Sequence, residues 1–380
     1  MRKWKQIGAF ALAAVLTVLG PAAAWAATPE FGRTAEEWAK LRDNVMEYNE
    51  LAGLVHEYNV TVQNNQRDYN ENKNKTSEEI AQDLRDQADS IRSTMSGEDD
   101  AGSIMSDSLA ESSAKQLENQ ADDVLNDSET LLLTYQQTEA TLVSTAQTNM
   151  IAYHQNILEL ELLKKQKELL QVTYESTQAR LAAGMATQMD VLGAQENLLN
   201  AEAAILTAQS QLDNTKQKLC VMLGWSFDAS PEIQGIPAAD LSRIDSMNPS
   251  ADKAKAIDNN YTLKINKKKK ANAYSSSTED SLTSTIKDNE QKIGTSLTAV
   301  YKGVTEAKNA YDQAVTTFAM ETKNMEAAER KYQLGSISRL EYISQQFIFA
   351  QKQIGVQTAE LNLFQAMESY DWAVNGLAGA

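Results

Sequence analysis

Five large apolar residues recur at intervals of seven between residues 191 and 219, without a single interruption. They are Val191, Leu198, Ile205, Leu212 and Leu219. A mostly small residue follows each of them three positions later, beginning with Ala194, Ala201 and Ala208. Large residues on one line and small residues on the next are typical of a closely packed coiled coil. The pattern predicts a long helix with one continuous apolar seam.

The same seam returns further along the chain, in the same phase. Its large positions are held by Tyr342, Phe349, Val356, Leu363 and Tyr370. An agreement of this length in both phase and residue class indicates an internal structural repeat. Only 5 of the 380 residues are proline, so little in the sequence interrupts long helices. We therefore expect an all-α fold of long antiparallel coiled-coil hairpins in a tandem repeat.

Each seam is preceded by the same turn signal. It consists of a glycine, a hydroxyl residue three positions later and an acidic residue after three more: Gly184, Thr187 and Asp190, then Gly335, Ser338 and Glu341. Glycine readily adopts the left-handed conformation that ends a helix. The hydroxyl and acidic residues can then form a capping box at the start of the next helix. The sequence predicts two tight hairpin tips, near residues 184–187 and 335–338.

The segment 1–26 has the pattern of a secretory signal peptide. A basic start is followed by an apolar run over residues 7–19 and by the small-x-small pattern Ala24-Trp25-Ala26. An uncleaved anchor is the alternative interpretation. Three of the five prolines fall within 225–250 and suggest a linker. The predicted organisation is a signal peptide (1–26), a first helical repeat (27–224), an inter-repeat linker (225–250) and a second helical repeat (251–380).

Outside the seams the helical signal is less regular. An acidic stretch over residues 96–103 predicts a loop, and the pattern after it predicts one long helix over 104–183. In the second repeat, a serine-rich stretch over 274–284 predicts a break before a helix over 285–333. Both breaks fall between the opening helices of a repeat and its long helix.

Charge and composition argue against several classes of function. A formal net charge of −17 argues against nucleic-acid binding. The chain has two histidines, His56 and His154, and one cysteine, Cys220, so a histidine- or cysteine-based metal site is not expected. No nucleophile–base pair or phosphate loop appears in the sequence. We expect no enzyme, no catalytic residue, no metal and no cofactor.

One basic patch stands out in this acidic chain. The run Lys267–Lys270 comprises four consecutive lysines, and Lys264 lies close by. One interpretation is a solvated helix face. The other is a contact with an anionic lipid or wall polymer.

The tips and seams together resemble the TolC-like outer membrane efflux protein family. The segments Gly184-x-x-Thr187-x-x-Asp190 and Gly335-x-x-Ser338-x-x-Glu341 carry the resemblance, with Asn59 and Asn260 near the opening of each repeat. The resemblance implies a homotrimer that forms a tube of twelve helices. It also implies that the tips contact a membrane-fusion adaptor, which is linked to an inner-membrane pump of the ABC or a similar class. The tip residues concerned would be Gly184, Met185, Ala186, Thr187, Asp190, Gly335, Ser336, Ile337, Ser338 and Glu341.

The sequence departs from the family where membrane strands are expected, near 96–104 and 274–284. A membrane strand needs about 9–11 residues that alternate between apolar and polar. Neither SGEDDAGS nor YSSSTEDSLTS alternates in this way. We therefore expect a TolC-like helical body with little or no β-barrel, and membrane association stays open.

Two functions follow from these observations. The first is a passive outer-membrane efflux or type I secretion duct that docks an adaptor through its tips. The alternative is a barrel-less exported coiled-coil protein of the cell envelope that binds a partner without forming a channel. The predicted location is the cell envelope: the resemblance implies the outer membrane, whereas the sequence indicates an extracytoplasmic location and leaves membrane insertion open.

Overall fold

Helices make up most of the computed structural model, which describes residues 32–97 and 100–380. In chain order they are α1 (Ala35–Leu41), α2 (Leu51–Tyr58), α3 (Val60–Asn72), α4 (Ser77–Ser93), α5 (Ala101–Asp122), α6 (Ser128–Ala182), α7 (Gln188–Met222), α8 (Ser242–Ser246), α9 (Pro249–Asn259), α10 (Tyr261–Asn272), α11 (Ser276–Gln333) and α12 (Arg339–Trp372). A 3₁₀ turn (Tyr48–Glu50) precedes α2, and a π-helical turn (Ala373–Leu377) follows α12. The predicted all-α class is confirmed. The predicted signal peptide lies outside the described residues.

The strand content of the described residues is two short segments, β1 (Val45–Met46) and β2 (Glu232–Ile233). They pair in parallel, with Val45 opposite Glu232. The pairing fastens the segment after α1 to the stretch between α7 and α8. None of the described residues within 96–104 and 274–284 is in a strand.

The four long helices lie side by side in an open layer, in the order α7, α6, α12, α11. The α6–α7 contact includes a hydrogen bond from Asn156 to the Thr215 hydroxyl, at 3.0 Å. The α6–α12 contact includes a hydrogen bond of 2.8 Å from Gln155 to Asn362. Because α7 packs on α6 and α11 packs on α12, α7 and α11 form the two outer edges of the layer.

Two apolar cores lie where the short helices pack on this layer. The first joins α1, α2 and β1 to α6 and includes Leu54, Met150 and Ile151. The second joins α9 and α10 to α11 and α12. The adjacent residues Leu363 and Phe364 of α12 enter different cores, so α12 connects the two repeats.

Two asparagines join helices end to end, one in each repeat. The Asn59 carboxamide oxygen accepts from Thr61 N at the start of α3, and its Nδ2 donates to the Met222 carbonyl at the end of α7, at 2.8 Å. Asn260 accepts from Leu263 N and donates to the Ala378 carbonyl at 2.8 Å. Each side chain therefore caps one helix and satisfies a carbonyl at the end of another. As a result, the start of α3 is tied to the end of α7, and the start of α10 is tied to the segment that follows α12.

Two helix boundaries differ from the sequence-based prediction. The helix expected over 104–183 is interrupted at residues 123–127, because Asp127 caps α6 by accepting from Thr130 N at 2.8 Å. Asp123 Oδ1 also accepts from the Tyr274 amide at 2.7 Å, which fixes the break against the α10–α11 turn. The serine-rich break predicted over 274–284 is wrong, since α11 begins at Ser276. Its hydroxyls bond to carbonyls four residues earlier, as Thr283 does to Glu279, so they do not disrupt the helix.

The α4–α5 hairpin (Ser77–Asp122) has no counterpart in the second repeat. The equivalent point there is the short turn between α10 and α11. The two helices pack on each other through alanines spaced by seven, Ala81 and Ala88 against Ala114 and Ala121. Arg92 adds ion pairs to Glu111 and Glu118. The additional length of the first half of the sequence therefore forms a helical hairpin.

Candidate functional site

The first tip is a tight turn between α6 and α7. Gly184 has φ +72°, and the hydrogen bonds Met185 N to Arg180 O and Gly184 N to Leu181 O close the end of α6 in a Schellman motif. Thr187 then caps α7. Its hydroxyl accepts from Asp190 N at 3.2 Å, and the Asp190 carboxylate accepts from Thr187 N at 2.7 Å. The reciprocal pair is a capping box.

The second tip repeats this geometry between α11 and α12. Gly335 has φ +67°, and Ser336 N and Gly335 N bond to the Lys331 and Tyr332 carbonyls. The Ser338 hydroxyl accepts from Glu341 N at 3.2 Å, and the Glu341 carboxylate accepts from Ser338 N at 2.7 Å. The two repeats therefore present nearly identical rigid turns.

The tip residues face solvent. Ala186 and Ile337 are half-buried, and the other eight proposed contact residues are exposed. Hydrogen bonds from the backbone and hydroxyl of Thr187 lower the pKa of the Asp190 carboxyl, and those of Ser338 do the same for Glu341. Both carboxylates stay charged at neutral pH and suit the positive end of their helices.

A contact between the two hairpins shows that the tips lie at the same end of the layer. Arg339 Nη1, close to the second tip, lies 3.6 Å from Glu175 Oε2 on α6, close to the first tip. Across the second hairpin, Tyr332 and Tyr342 stack with their ring centroids 4.4 Å apart. The apolar side chains Met185 and Leu334 stand exposed beside the two tip glycines. The layer thus ends in two adjacent tips, each with one exposed apolar side chain.

The residues of the two predicted seams are all turned inward. Val191, Leu219, Leu363 and Tyr370 are buried, and the other six large seam residues are half-buried. Phe349 packs on Phe318 of α11, with ring centroids 5.3 Å apart. The seams hold the hairpins together within one chain.

A second heptad line on α7 was missed by the sequence analysis. Leu192, Leu199 and Leu206 are also seven residues apart, but they lie on the opposite face and are exposed. Met189, with 75% of its surface exposed, continues the line toward the tip. The signal was present in the sequence, because a helix with two apolar lines needs a partner on each side.

The basic run lies on α10 and is mostly matched by acids of the same chain. Lys268 Nζ lies 2.5 Å from Glu129 Oε2 of α6, and Lys267 pairs with Glu290 of α11 at 3.6 Å. Lys270 pairs with Glu279 at 3.7 Å. These lysines therefore pair with acids on the neighbouring helices. This favours the interpretation of the run as a solvated helix face over that of a contact with an anionic lipid or wall polymer.

Neither histidine is placed to bind a metal with the other. His56 Nδ1 lies 2.7 Å from Glu139 Oε1, whereas His154 Nε2 meets the Gln234 carbonyl at 2.8 Å. Cys220 is fully buried beside the α7 seam, and burial raises the pKa of its thiol. Over the described ranges, no group of three or more potential ligands is arranged for a metal ion. Within the same ranges, no helix combines the length and the apolar character needed to cross a bilayer.

Comparison of the sequence with models of protein families gives one match. Residues 113–225, which include α6, the first tip and α7, match the family model described as outer membrane efflux protein. The predicted family resemblance is confirmed. No curated protein sequence matches the chain.

Solved structures extend the likeness to the whole layer. The Vibrio cholerae outer membrane protein VceC is 11% identical, with a TM-score of 0.52 over 94% of this chain and 99% of that one. The Campylobacter jejuni CmeC outer membrane channel is 10% identical, with a TM-score of 0.52 over 90% of this chain and 88% of that one. A Pseudomonas aeruginosa membrane protein is 12% identical, with a TM-score of 0.52 over 84% of this chain and 90% of that one. At these identities the likeness shows the fold. The matched family model describes outer membrane efflux proteins, and the expectation of a non-enzymatic protein is confirmed.

Proposed function

We propose that the protein is a passive component of a TolC-like efflux or secretion duct, closed by several copies of the chain. The observation that carries this proposal is the open four-helix layer, in which α7 and α11 form the outer edges and the two tips lie together at one end. Because the two edges of the layer differ, one edge of a copy can pack on the other edge of the next copy. Such an interface gives a closed ring when the rotation between successive copies adds up to a full turn. Three copies would place twelve helices around a central duct, as the family resemblance implies.

The tips are the proposed docking points for a membrane-fusion adaptor that is linked to an inner-membrane pump. They are exposed and fixed by Schellman turns and capping boxes, so they lose little conformational freedom on binding. Met185 and Leu334 supply apolar side chains beside the glycines. The apolar and polar side chains of the tips suit contact with apolar and polar residues at the bend of the adaptor's helical hairpin.

The proposed location is the cell envelope, reached through the signal peptide predicted over 1–26. The family match and the channel structures support this location. The alternative, an exported coiled-coil protein that forms no channel, is not favoured, because the similar structures are those of channels and a spacer would not need two matched tips.

The association state tests the duct directly. Sedimentation equilibrium of residues 27–380 without detergent should give the mass of three chains. A monomer at all concentrations, with native helicity by circular dichroism, would contradict the duct.

The tips are tested by Gly335→Val, with Gly335→Asn as the matched control. Valine resists the left-handed conformation at φ +67°, at a cost of about 1–2 kcal/mol, whereas asparagine tolerates it. An added Cβ would meet no other atom within 4 Å, so only the turn is strained. Binding to the coiled-coil hairpin of an adaptor from the same organism, measured on a biosensor, should weaken for Val and persist for Asn. Equal binding by wild type and both variants would remove the tips from the proposal.

A further inference from the structure

The end of the layer opposite the two tips carries the α4–α5 hairpin (Ser77–Asp122), because α6 runs from the base of this hairpin to the first tip. The base is fixed. Arg85 Nη2 lies 3.2 Å from Asp122 Oδ1, and the next residue, Asp123, accepts from the Tyr274 amide at 2.7 Å. Beyond the base, α4 and α5 pack on each other, and over the described ranges neither packs along the four-helix layer. The hairpin is therefore an arm that is attached at one end.

The far end of this arm, where α4 turns into α5, is held in place by two aspartates. The Asp107 carboxylate accepts from the Ser96 and Gly97 amides at 3.0 and 2.9 Å. Asp100 caps α5 by accepting from Gly102 N at 2.9 Å. A surface that is ordered in this way loses little conformational freedom when a partner binds to it.

Three apolar side chains stand exposed in the first turns of α5, next to the far end of the arm. Ile104, Met105 and Leu109 are 54%, 67% and 62% exposed, and we call them the α5 patch. Met105 and Leu109 are one helical turn apart and share a face, whereas the buried Ala114, which faces α4, lies on the other side of the helix. The patch therefore takes little part in the packing of α4 on α5. Exposed apolar residues grouped in this way mark an interaction surface.

The arm is strongly acidic. Its sequence, Ser77–Asp122, contains 12 acidic and 3 basic residues. Each of the three bases is paired with an acid of the arm itself: Arg85 with Asp122, Arg92 with Glu111, and Lys115 with Glu111. The hydrogen bonds from Arg92 lower the pKa of the Glu111 carboxyl, so this acid stays charged at neutral pH. The arm therefore keeps a large surplus of negative charge.

This charge decides which kind of partner can cover the α5 patch. A second copy of the arm brings the same negative surplus, and an anionic lipid or wall polymer is also negative, so all of these are repelled. A positively charged surface is attracted. The patch adds the requirement of an apolar stripe within that positive surface. An amphipathic helix with lysine or arginine beside its apolar stripe meets both requirements.

We propose that the α4–α5 arm is the docking site of a partner protein that presents a basic amphipathic helix. The apolar stripe of that helix covers Ile104, Met105 and Leu109, and its lysines or arginines lie against the acids of the arm. Because the arm and the tips lie at opposite ends of the layer, this partner does not compete with one that binds the tips. The proposal is independent of the duct, since it requires no particular number of copies.

A synthetic peptide provides the probe. A fluorescein-labelled helix of leucine and lysine alone, with leucines at positions i, i+3, i+4 and i+7, presents the proposed surface. Its binding to residues 27–380 is followed by fluorescence anisotropy. We expect saturable binding that weakens as the salt concentration rises, and no binding of a peptide with glutamate in place of lysine. Failure of the lysine peptide to bind, or equal binding of both peptides, would contradict the proposal.

Paired substitutions locate the binding site on the chain. Met105→Gln with Leu109→Gln should weaken binding by about tenfold, because two apolar contacts are lost while glutamine preserves the helix. Met320→Gln with Leu241→Gln is the matched control, since these residues are of the same types, are 57% and 40% exposed and lie outside the arm. The control pair should bind like the wild type. Equal affinities for the two pairs would overturn the proposal.

Replacing the arm with a short Gly-Ser linker distinguishes the other occupants. Peptide binding should then be lost, while the mass by sedimentation stays the same. A fall in mass would make a second copy the occupant. Binding of vesicles of equal parts phosphatidylcholine and phosphatidylglycerol by the wild type, but not by the linker variant, would make it an anionic membrane. Either result would overturn the proposal, as would peptide binding that survives the replacement.

Discussion

The asparagine junctions give the sharpest prediction about stability. Asn260 is 1% exposed; its oxygen caps α10 by accepting from Leu263 N at 3.0 Å, and its Nδ2 donates to the Ala378 and Gly376 carbonyls at 2.8 and 3.3 Å. Asn260→Ala removes the cap, which costs about 1 kcal/mol, and leaves a buried carbonyl without its donor, which costs about 1–3 kcal/mol. We expect a total loss of about 2–4 kcal/mol.

Asn248 is the matched control, because it caps a helix without joining it to another. Its oxygen accepts from Ser250 N and Ala251 N at 3.1 Å at the exposed start of α9. Asn248→Ala should therefore cost only the cap, about 1 kcal/mol. Asn59→Ala should behave like Asn260→Ala, since the Asn59 amide bonds to the Met222 carbonyl in the same way.

The assay is urea unfolding followed by far-ultraviolet circular dichroism. All variants are compared at one protomer concentration, because association makes apparent stability depend on concentration. Shifts of the midpoint at an unchanged slope report the differences in the free energy of unfolding. If Asn260→Ala loses no more than Asn248→Ala, the bonds across the junction do not stabilise the protein, and the end-to-end helix argument is refuted.

Three further predictions concern other parts of the chain. Gly224→Ala should lower the free energy of unfolding in urea by about 1–3 kcal/mol more than Gly184→Ala. Both glycines have positive φ, but only at Gly224 would an added Cβ lie 2.4 Å from a side-chain atom of α2. Equal losses would contradict this packing. The hydrogen bond that His56 donates to the Glu139 carboxylate raises the pKa of His56, so the stability it contributes is complete below about pH 6.5 and is lost as pH rises through the folded pKa. Glu139→Gln should reduce the slope of the unfolding midpoint against pH. Replacing the α4–α5 hairpin with a short Gly-Ser linker should leave the sedimentation mass unchanged, and a monomer would show that this hairpin helps to hold the copies together.

Much of the fold could be predicted from local sequence patterns. The capping boxes at both tips require only a glycine, a hydroxyl residue and an acid at fixed spacing, because their hydrogen bonds form within a few residues. The burial of Leu219 and Leu363 follows from the heptad line in the same way. The start of α11 was misjudged because serine and threonine favour turns, yet here their hydroxyls bond within the helix.

The sequence by itself determined the long helices, the two tips and the inward seams, since each depends on residues that are near one another in the chain. Only the tertiary structure showed that Asn59 and Asn260 join separate helices, because their partners lie more than a hundred residues away. The same holds for the second line on α7. Leu192, Leu199 and Leu206 are as regular as the buried seam, and which of the two lines remains exposed is decided by the side on which α6 packs.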